Sequence, residues 1–394
     1  MILTLKMPNA LFIIPNLTTG GIQTQVVLLA KYFKKELGFN VTIWGVVSQD
    51  SYFPAMLAKE GIKTEMHPEV LEFFREPYWE LSRFNKIRKW NRLRKAINKE
   101  NIDIILPYTH HISFVFDIIW ARTKAKICFK FERGGHLAPK PIEYSRRDIY
   151  HFLARHPKPT YVANSEHGQR ALSIMQNVPI EKVHLIRNAY NPKPILNITE
   201  DWQEIIKSHQ SKTVVTMIAN FFDEKDHETV LKAWKLIPRN SAILIFAGLG
   251  GPDNCKANHK RMIQLSKVLE LSDEVFFVGS VKNTALLLKH TNIGLLSTKS
   301  EGCPNAILEY MGAGIPIIAT DIPGIREVIP NESKNYLFPY QNVEKLRSLL
   351  VEVISNVGLQ KELGTINQNH VNAYFSPEIM YSKYRDILKS SKII

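Results

Sequence analysis

Residues 293–327 constrain this chain more than any other stretch. The apolar run Ile293-Gly294-Leu295-Leu296-Ser297 reads as a buried strand, and residues 315–320 read as a second one. Between them stands Ser300-Glu301-Gly302-Cys303-Pro304-Asn305-Ala306-Ile307-Leu308-Glu309-Tyr310-Met311-Gly312-Ala313-Gly314. Pro304 suits the first turn of a helix, where its missing N–H costs nothing. Ile307, Leu308 and Met311 supply an apolar face, and Gly312 or Gly314 ends the helix. Glu301 lies just before the helix and Glu309 inside it, a little over two turns on, so both acids can point into one cleft. The amides of Asn305 and Ala306 begin a helix N-terminus that favours an anionic group such as a diphosphate, with the Gly302-Cys303-Pro304 step leading into it. Glu309 is then an acceptor suited to ribose hydroxyls and Glu301 to sugar hydroxyls. An isolated pair of acids at this spacing would indicate only a favourable helix entry.

The surrounding frame says more. After the second strand comes Asp321-Ile322-Pro323-Gly324-Ile325-Arg326-Glu327. Strand, E-x7-E helix, strand and Pro-Gly loop together resemble the donor-nucleotide site of family 4 of the retaining glycosyltransferases. The resemblance implies an α/β architecture of two Rossmann-like domains facing a deep cleft, the GT-B arrangement. The expected division is an acceptor-side domain over residues 1–191 and a nucleotide-sugar-binding domain over 192–375. The final helix, 376–394, is expected to cross back to the first domain.

A chain of 394 residues is long enough for about two domains, each with its own core. No apolar stretch approaches the roughly 20 residues of a membrane span, and the apolar residues 10–14 are too few for a signal peptide. Cys128, Cys255 and Cys303 are odd in number and scattered, which fits a reducing cytosol and neither a zinc cluster nor a disulfide framework. Lysine and arginine outnumber acids 51 to 37, a net charge of +14. Such an excess points to anionic partners, whether nucleic acid, acidic lipid or phosphorylated substrates; a merely lysine-rich surface is the competing explanation.

In the first half, a strand at residues 10–14 runs into Pro15-Asn16-Leu17-Thr18-Thr19-Gly20-Gly21 and then a helix. This is nucleotide-fold geometry, yet G-x-G-x-x-G is absent, which disfavours NAD. Gly20 and Gly21 permit close backbone approach, either as a plain turn or, as the resemblance implies, facing the donor phosphate. From residue 81 to 99, Leu81, Phe84, Ile87, Trp90, Leu93 and Ile97 recur at helical spacing among Arg83, Lys86, Arg88, Lys89, Arg92, Arg94, Lys95 and Lys99. This cationic helix reads either as a membrane-surface element or as a covering helix showing its charges to water. His110, His111, Glu132 and Arg133 follow apolar runs, where open α/β sheets bind ligands, and are candidates for the sugar or acceptor side, with satisfied loop residues the competing reading for the two histidines. Arg187-Asn188-Ala189-Tyr190-Asn191 resembles the family's turn at the end of the first domain, and Pro192 and Pro194 read as linker.

In the second half, a strand near residues 214–219 leads into Asn220-Phe221-Phe222-Asp223-Glu224-Lys225-Asp226-His227. The resemblance implies that Lys225 binds the donor diphosphate. Asn220 stands where the family often has an arginine, so it brings a hydrogen bond without a charge. Gly248, in the turn Gly248-Leu249-Gly250-Gly251, is a further donor-side candidate.

Taken together, the residues and the resemblance imply retaining, metal-independent transfer of a sugar from a nucleoside diphosphate sugar, UDP-sugar favoured, in cell-envelope polysaccharide synthesis. The acceptor is a hydroxyl of a glycan or lipid-linked molecule. No cofactor beyond the nucleotide-sugar co-substrate is expected, and Lys225, Glu301 and Glu309 carry the site. The expected location is cytoplasmic, peripheral at the inner membrane face through the 81–99 helix, with no nucleic-acid partner. The alternatives are a nucleotide-sugar 2-epimerase of the same fold, which needs no acceptor, and a basic nucleic-acid-binding protein, which would have no use for Glu301 and Glu309.

Overall fold

Strand β1 (Asn9–Asn16) is apolar and buried at five consecutive positions, Ala10, Leu11, Phe12, Ile13 and Ile14. A strand covered on only one face would alternate, so this run belongs inside a parallel sheet with both faces covered. The computed structural model describes residues 7–17, 20–46, 52–68, 70, 82–134, 158–196, 198–248 and 253–394. The chain divides into two units, residues 1–188 with 377–394, and residues 189–376.

The first unit holds β1, β2 (Asn40–Val46), β3 (Lys63–Glu65), β4 (Ile104–Pro107), β5 (Ile127–Glu132), β6 (Thr160–Ala163) and β7 (Val183–Leu185). They form one parallel sheet in the order β3-β2-β1-β4-β5-β6-β7. Helices α1 (Gly21–Lys35), α2 (Tyr52–Lys59), α3 (Arg83–Lys99), α4 (His110–Trp120) and α5 (Glu166–Gln176) lie between the strands in the chain. The second unit carries α6 (Trp202–Ser208), β8 (Thr213–Ile218), α7 (His227–Trp234), β9 (Ala242–Ala247), α8 (Asp253–Val268), β10 (Val275–Gly279), α9 (Thr284–Lys289), β11 (Ile293–Leu296), α10 (Asn305–Gly312), β12 (Ile317–Thr320), α11 (Pro323–Arg326), β13 (Leu337–Phe338), α12 (Val343–Ile354) and α13 (Val357–Tyr374). Its sheet is also parallel, in the order β10-β9-β8-β11-β12-β13. Strand order reverses at β1 in one unit and at β8 in the other, and open α/β sheets bind ligands at such switch points.

The last helix, α14 (Pro377–Ser390), belongs to the first unit. Tyr381 stacks on Tyr32 of α1 with ring centroids 4.0 Å apart, and Tyr384 meets Phe33 edge-on at 6.4 Å. Helix α3 splits its apolar stripe in two. Trp90, Leu93 and Ile97 are buried in the first-unit core, whereas Phe84 is 74% and Ile87 51% exposed. Its charges are split as well. Lys89 is buried, and Arg94 donates to the carbonyls of Ile118 and Ile119 at the end of α4. Leu81 lies outside the described residues.

Candidate donor-nucleotide site

The site is assembled where β8 and β11, neighbours at the switch point of the second sheet, both end. The loop after β8 is stitched to the loop after β11 by backbone bonds: Asp226 N–H to Ser297 O at 3.0 Å and Lys299 N–H to Glu224 O at 2.7 Å. The Thr298 hydroxyl donates to Glu224 O at 3.0 Å, and Thr298 N–H to the Thr320 hydroxyl at 2.9 Å. This seam draws Lys225 onto Glu301, and the two side chains form an ion pair. Residues 76 positions apart in the chain therefore meet because two parallel strands end side by side.

Helix α10 is held by its own core residue. Tyr310, buried, accepts a hydrogen bond from Ile218 N–H of β8 at 2.7 Å and donates to Leu295 O of β11 at 3.1 Å. Burial pushes its phenol pKa well up, so it remains a hydroxyl that can do both. The ring lies where a Cβ on Gly294 would stand, so glycine in β11 is a packing requirement. Gly324, in the Pro-Gly loop, likewise leaves room for the backbone carbonyls of Glu301 and Gly302. Pro304 is the N-cap of α10 and supplies no side-chain cap, Gly302, Cys303 and Pro304 are buried, and Asn305 and Ala306 begin the helix half-buried. A helix N-terminus favours an anion through its dipole and its first-turn N–H groups.

Burial pulls the Lys225 ammonium down to about 8, with the Glu224 carboxylate opposing the shift. Beneath it, His227 stacks on Phe221 at 4.0 Å, its Nδ1 sits 3.2 Å from Lys225 O, and burial first of all lowers its pKa to about 4. The neutral ring is part of the floor of the loop. Asn220 lies half-buried just past β8. Gly248 directly follows β9 with φ +154, a Cβ there would strike Ala219 O, and its N–H donates to Gly279 O at 2.8 Å. Residues 249–252, with Gly250 and Gly251, lie outside the described residues.

At the other end of the motif, Glu309 accepts a 2.7 Å hydrogen bond from Lys193 Nζ. Sequence reading treated residues 192–194 as linker and missed this lysine. Its flanking prolines concealed it, because they signal a connection and not a site.

The first-unit candidates fall into separate places. Gly20 is the extended N-cap of α1 and Gly21 its first residue, with Gln23 Nε2 donating to Asn16 Oδ1 at 2.7 Å beside them. His110 and His111 open helix α4 behind Thr109, and so are the first helical residues rather than loop residues after β4. Glu132 ends β5 fully buried and accepts from Gly134 N–H at 3.0 Å. The Arg133 guanidinium lies 4.2 Å from the centroid of the Tyr108 ring and donates to Asn188 Oδ1 at 2.5 Å. Glu132 and Arg133 thus lie in one cluster with Tyr108, Asn164 and Asn188.

Among the described residues no three His, Cys, Asp or Glu side chains converge as metal ligands, and no helix is long and apolar enough to cross a membrane.

Two family models match the chain: "Glycosyltransferase Family 4" over residues 19–193 and "Glycosyl transferases group 1" over residues 198–370. The chain is 28% identical over 188 residues to the N-acetyl-alpha-D-glucosaminyl L-malate synthase of Bacillus anthracis, covering 46% of this chain and 48% of that one. It thus spans about half the length of that relative. It is 26% identical over 276 residues to the UDP-Gal:alpha-D-GlcNAc-diphosphoundecaprenol alpha-1,3-galactosyltransferase of Escherichia coli, covering 66% and 68% of the two chains. Among solved structures it is similar to HepE of Anabaena in complex with UDP and glucose, with TM-score 0.76 and 16% identity over 97% of this chain and 100% of that chain. That likeness is one of fold, the GT-B fold.

Proposed function

The chain belongs to the group 1 and family 4 glycosyltransferases, and on that premise we propose that it transfers a sugar, with retention, from a UDP-sugar to a hydroxyl of a lipid-linked or glycan acceptor in envelope polysaccharide synthesis. The observation that carries the reading is the Lys225–Glu301 pair at the N-terminus of the E-x7-E helix. As the glycosidic bond breaks, negative charge grows on the leaving diphosphate. The Lys225 ammonium and the first-turn amides of α10 are donors preorganised for that charge, each worth about 3–4 kcal/mol of barrier when well placed. Glu301 holds the lysine in its pre-reaction position and accepts from hydroxyls of the transferred sugar. Glu309 accepts from the ribose. No step calls on a metal, because the charge is met by these donors.

Support for the donor class comes from the Anabaena neighbour, whose structure contains UDP and glucose. Support for a lipid-linked acceptor comes from the Escherichia coli relative, named for transfer from UDP-Gal to a diphosphoundecaprenol-linked sugar. The exposed Phe84 and Ile87 on cationic α3 favour a peripheral site of action at an anionic cytoplasmic membrane face.

The test is a thermal-shift panel of UDP-, GDP- and ADP-sugars on the wild type and Glu309→Gln. A ligand that binds only the native state raises the melting point. UDP-sugars are expected to stabilise the wild type most, and the variant to lose most of that stabilisation and most of its turnover. Unchanged nucleotide affinity and turnover in Glu309→Gln would refute the assignment.

A further inference from the structure

Residues 189–194 connect two parts of the chain, yet they are tied along their length to the elements that form the nucleotide site. Tyr190 N–H donates to Phe375 O at 2.7 Å. The Tyr190 ring occupies the space a Cβ on Gly312 would need, at the C-terminal end of α10. Four residues on, Pro194 O accepts from Asn283 Nδ2 at 2.8 Å. Asn283 is itself the N-cap of α9, accepting from Leu286 N–H at 2.8 Å, and Lys282 N–H donates to Glu200 at 3.0 Å. Lys193 thus sits between two anchored points and between two prolines, whose fixed φ removes much of the freedom a linker would have.

Its ammonium makes two contacts, Glu309 Oε1 at 2.7 Å and Thr284 Oγ1 at 3.2 Å. Both carboxylate and ammonium remain in reach of solvent, with side-chain exposures of 18% and 37%. Among the described residues no donor engages the second carboxylate oxygen of Glu309. A carboxylate with one oxygen fixed by a charged donor has its plane set, and its other oxygen is ready to accept from a vicinal diol.

We infer that Lys193 is a positioning residue of the nucleotide site, acting through Glu309 to preset the carboxylate for the ribose hydroxyls of a nucleoside diphosphate. The inference rests on the proposed reading of Glu309 as the ribose acceptor. It assigns to the connecting segment a role in donor affinity that a spacer would not have. Pre-setting a group before the ligand arrives strengthens binding by removing an ordering cost.

The experiment is calorimetric titration with whichever of UDP, GDP and ADP binds most tightly, and with its 2′,3′-dideoxy analogue. The proteins are wild type, Lys193→Ala, Lys193→Arg and Glu309→Gln, each checked for an unchanged ligand-free melting point. Lys193→Ala is expected to weaken binding of the ribonucleotide a little over tenfold, the lower end of the range for a hydrogen bond to a charged group. The same substitution should leave the dideoxy analogue almost unaffected, because the hydroxyls through which it acts are gone. Lys193→Arg should recover most of the loss. Equal weakening of both nucleotides would mean the lysine acts on the phosphates or the fold, and tighter binding would mean it blocks the site; either overturns the inference. An unaffected Lys193→Ala beside a weakened Glu309→Gln overturns it alone. An unaffected Glu309→Gln, or no binding of any of the three nucleotides, removes the donor-site reading together with it.

Discussion

Both units bring acids and cations together on the loops, helices and strands of a parallel α/β sheet, but engage them differently. In the second unit, Lys225 with Glu301 and Lys193 with Glu309 form pairs that water still reaches, three of the four residues on loops or connections and Glu309 within α10. In the first unit, Glu132 is fully buried, Arg133 is held by Tyr108 and Asn188, and Asp117 and Lys130 form an ion pair at 2.5 Å with side chains 0% and 4% exposed. A pair that remains in reach of solvent can exchange a protein partner for a ligand. A fully buried pair cannot do so without leaving a buried charge uncompensated. The difference separates a site from a scaffold more sharply than residue type does, since both units offer acids beside cations.

Three experiments press on that contrast. The largest effect is expected from Asp117→Ala, which removes the buried carboxylate paired with Lys130 and should cost about 3–5 kcal/mol of stability. Urea unfolding would measure it, while nucleotide affinity of the folded fraction should stay unchanged. A parallel loss of affinity would break the distinction.

Next is Lys225→Ala, expected to lower kcat about 10²–10³-fold, or about 2.7–4 kcal/mol, with little change in unfolding. The same lysine sets a pH limb: kcat/KM should fall above pH about 8 as the ammonium loses its proton, and Lys225→Arg should move that limb upward. The sign for stability is opposite. The folded pKa lies below its ordinary 10.5, so between these values the unfolded chain binds more protons, and this group's contribution to stability rises with pH. Loss of activity accompanied by a falling melting point over that range would therefore trace to another group.

The smallest effect concerns α3. Replacing Phe84 with Ser and Lys95 with Glu, both exposed positions, should change stability by less than about 0.5 kcal/mol. Binding to anionic liposomes, however, should weaken and lose its salt sensitivity. Indifference of liposome binding would leave α3 as a covering helix of the first unit.

Much of this was legible in the residues. The apolar runs of β1, β9 and β11 are continuous because parallel strands are covered on both faces, and Pro304 marks the entry to α10 because only a helix start tolerates its missing donor. The α3 stripe shows where reading stops. Spacing grouped Phe84 and Ile87 with Trp90, Leu93 and Ile97, but helical periodicity reports a face and not how far the neighbouring core extends along it. Lys89 and Arg94 were grouped with the surface charges for the same reason, since no local pattern reveals that the end of α4 receives Arg94.

By itself the sequence determined the alternation of strands and helices, the start of the motif helix and the chemical types available to it, because these depend on contacts within a turn or two of chain. Only the tertiary structure decided that Lys225 meets Glu301 and Lys193 meets Glu309, across 76 and 116 positions. Such pairings are set by which strand ends and anchored segments the sheet brings side by side, and that order is a property of the folded whole.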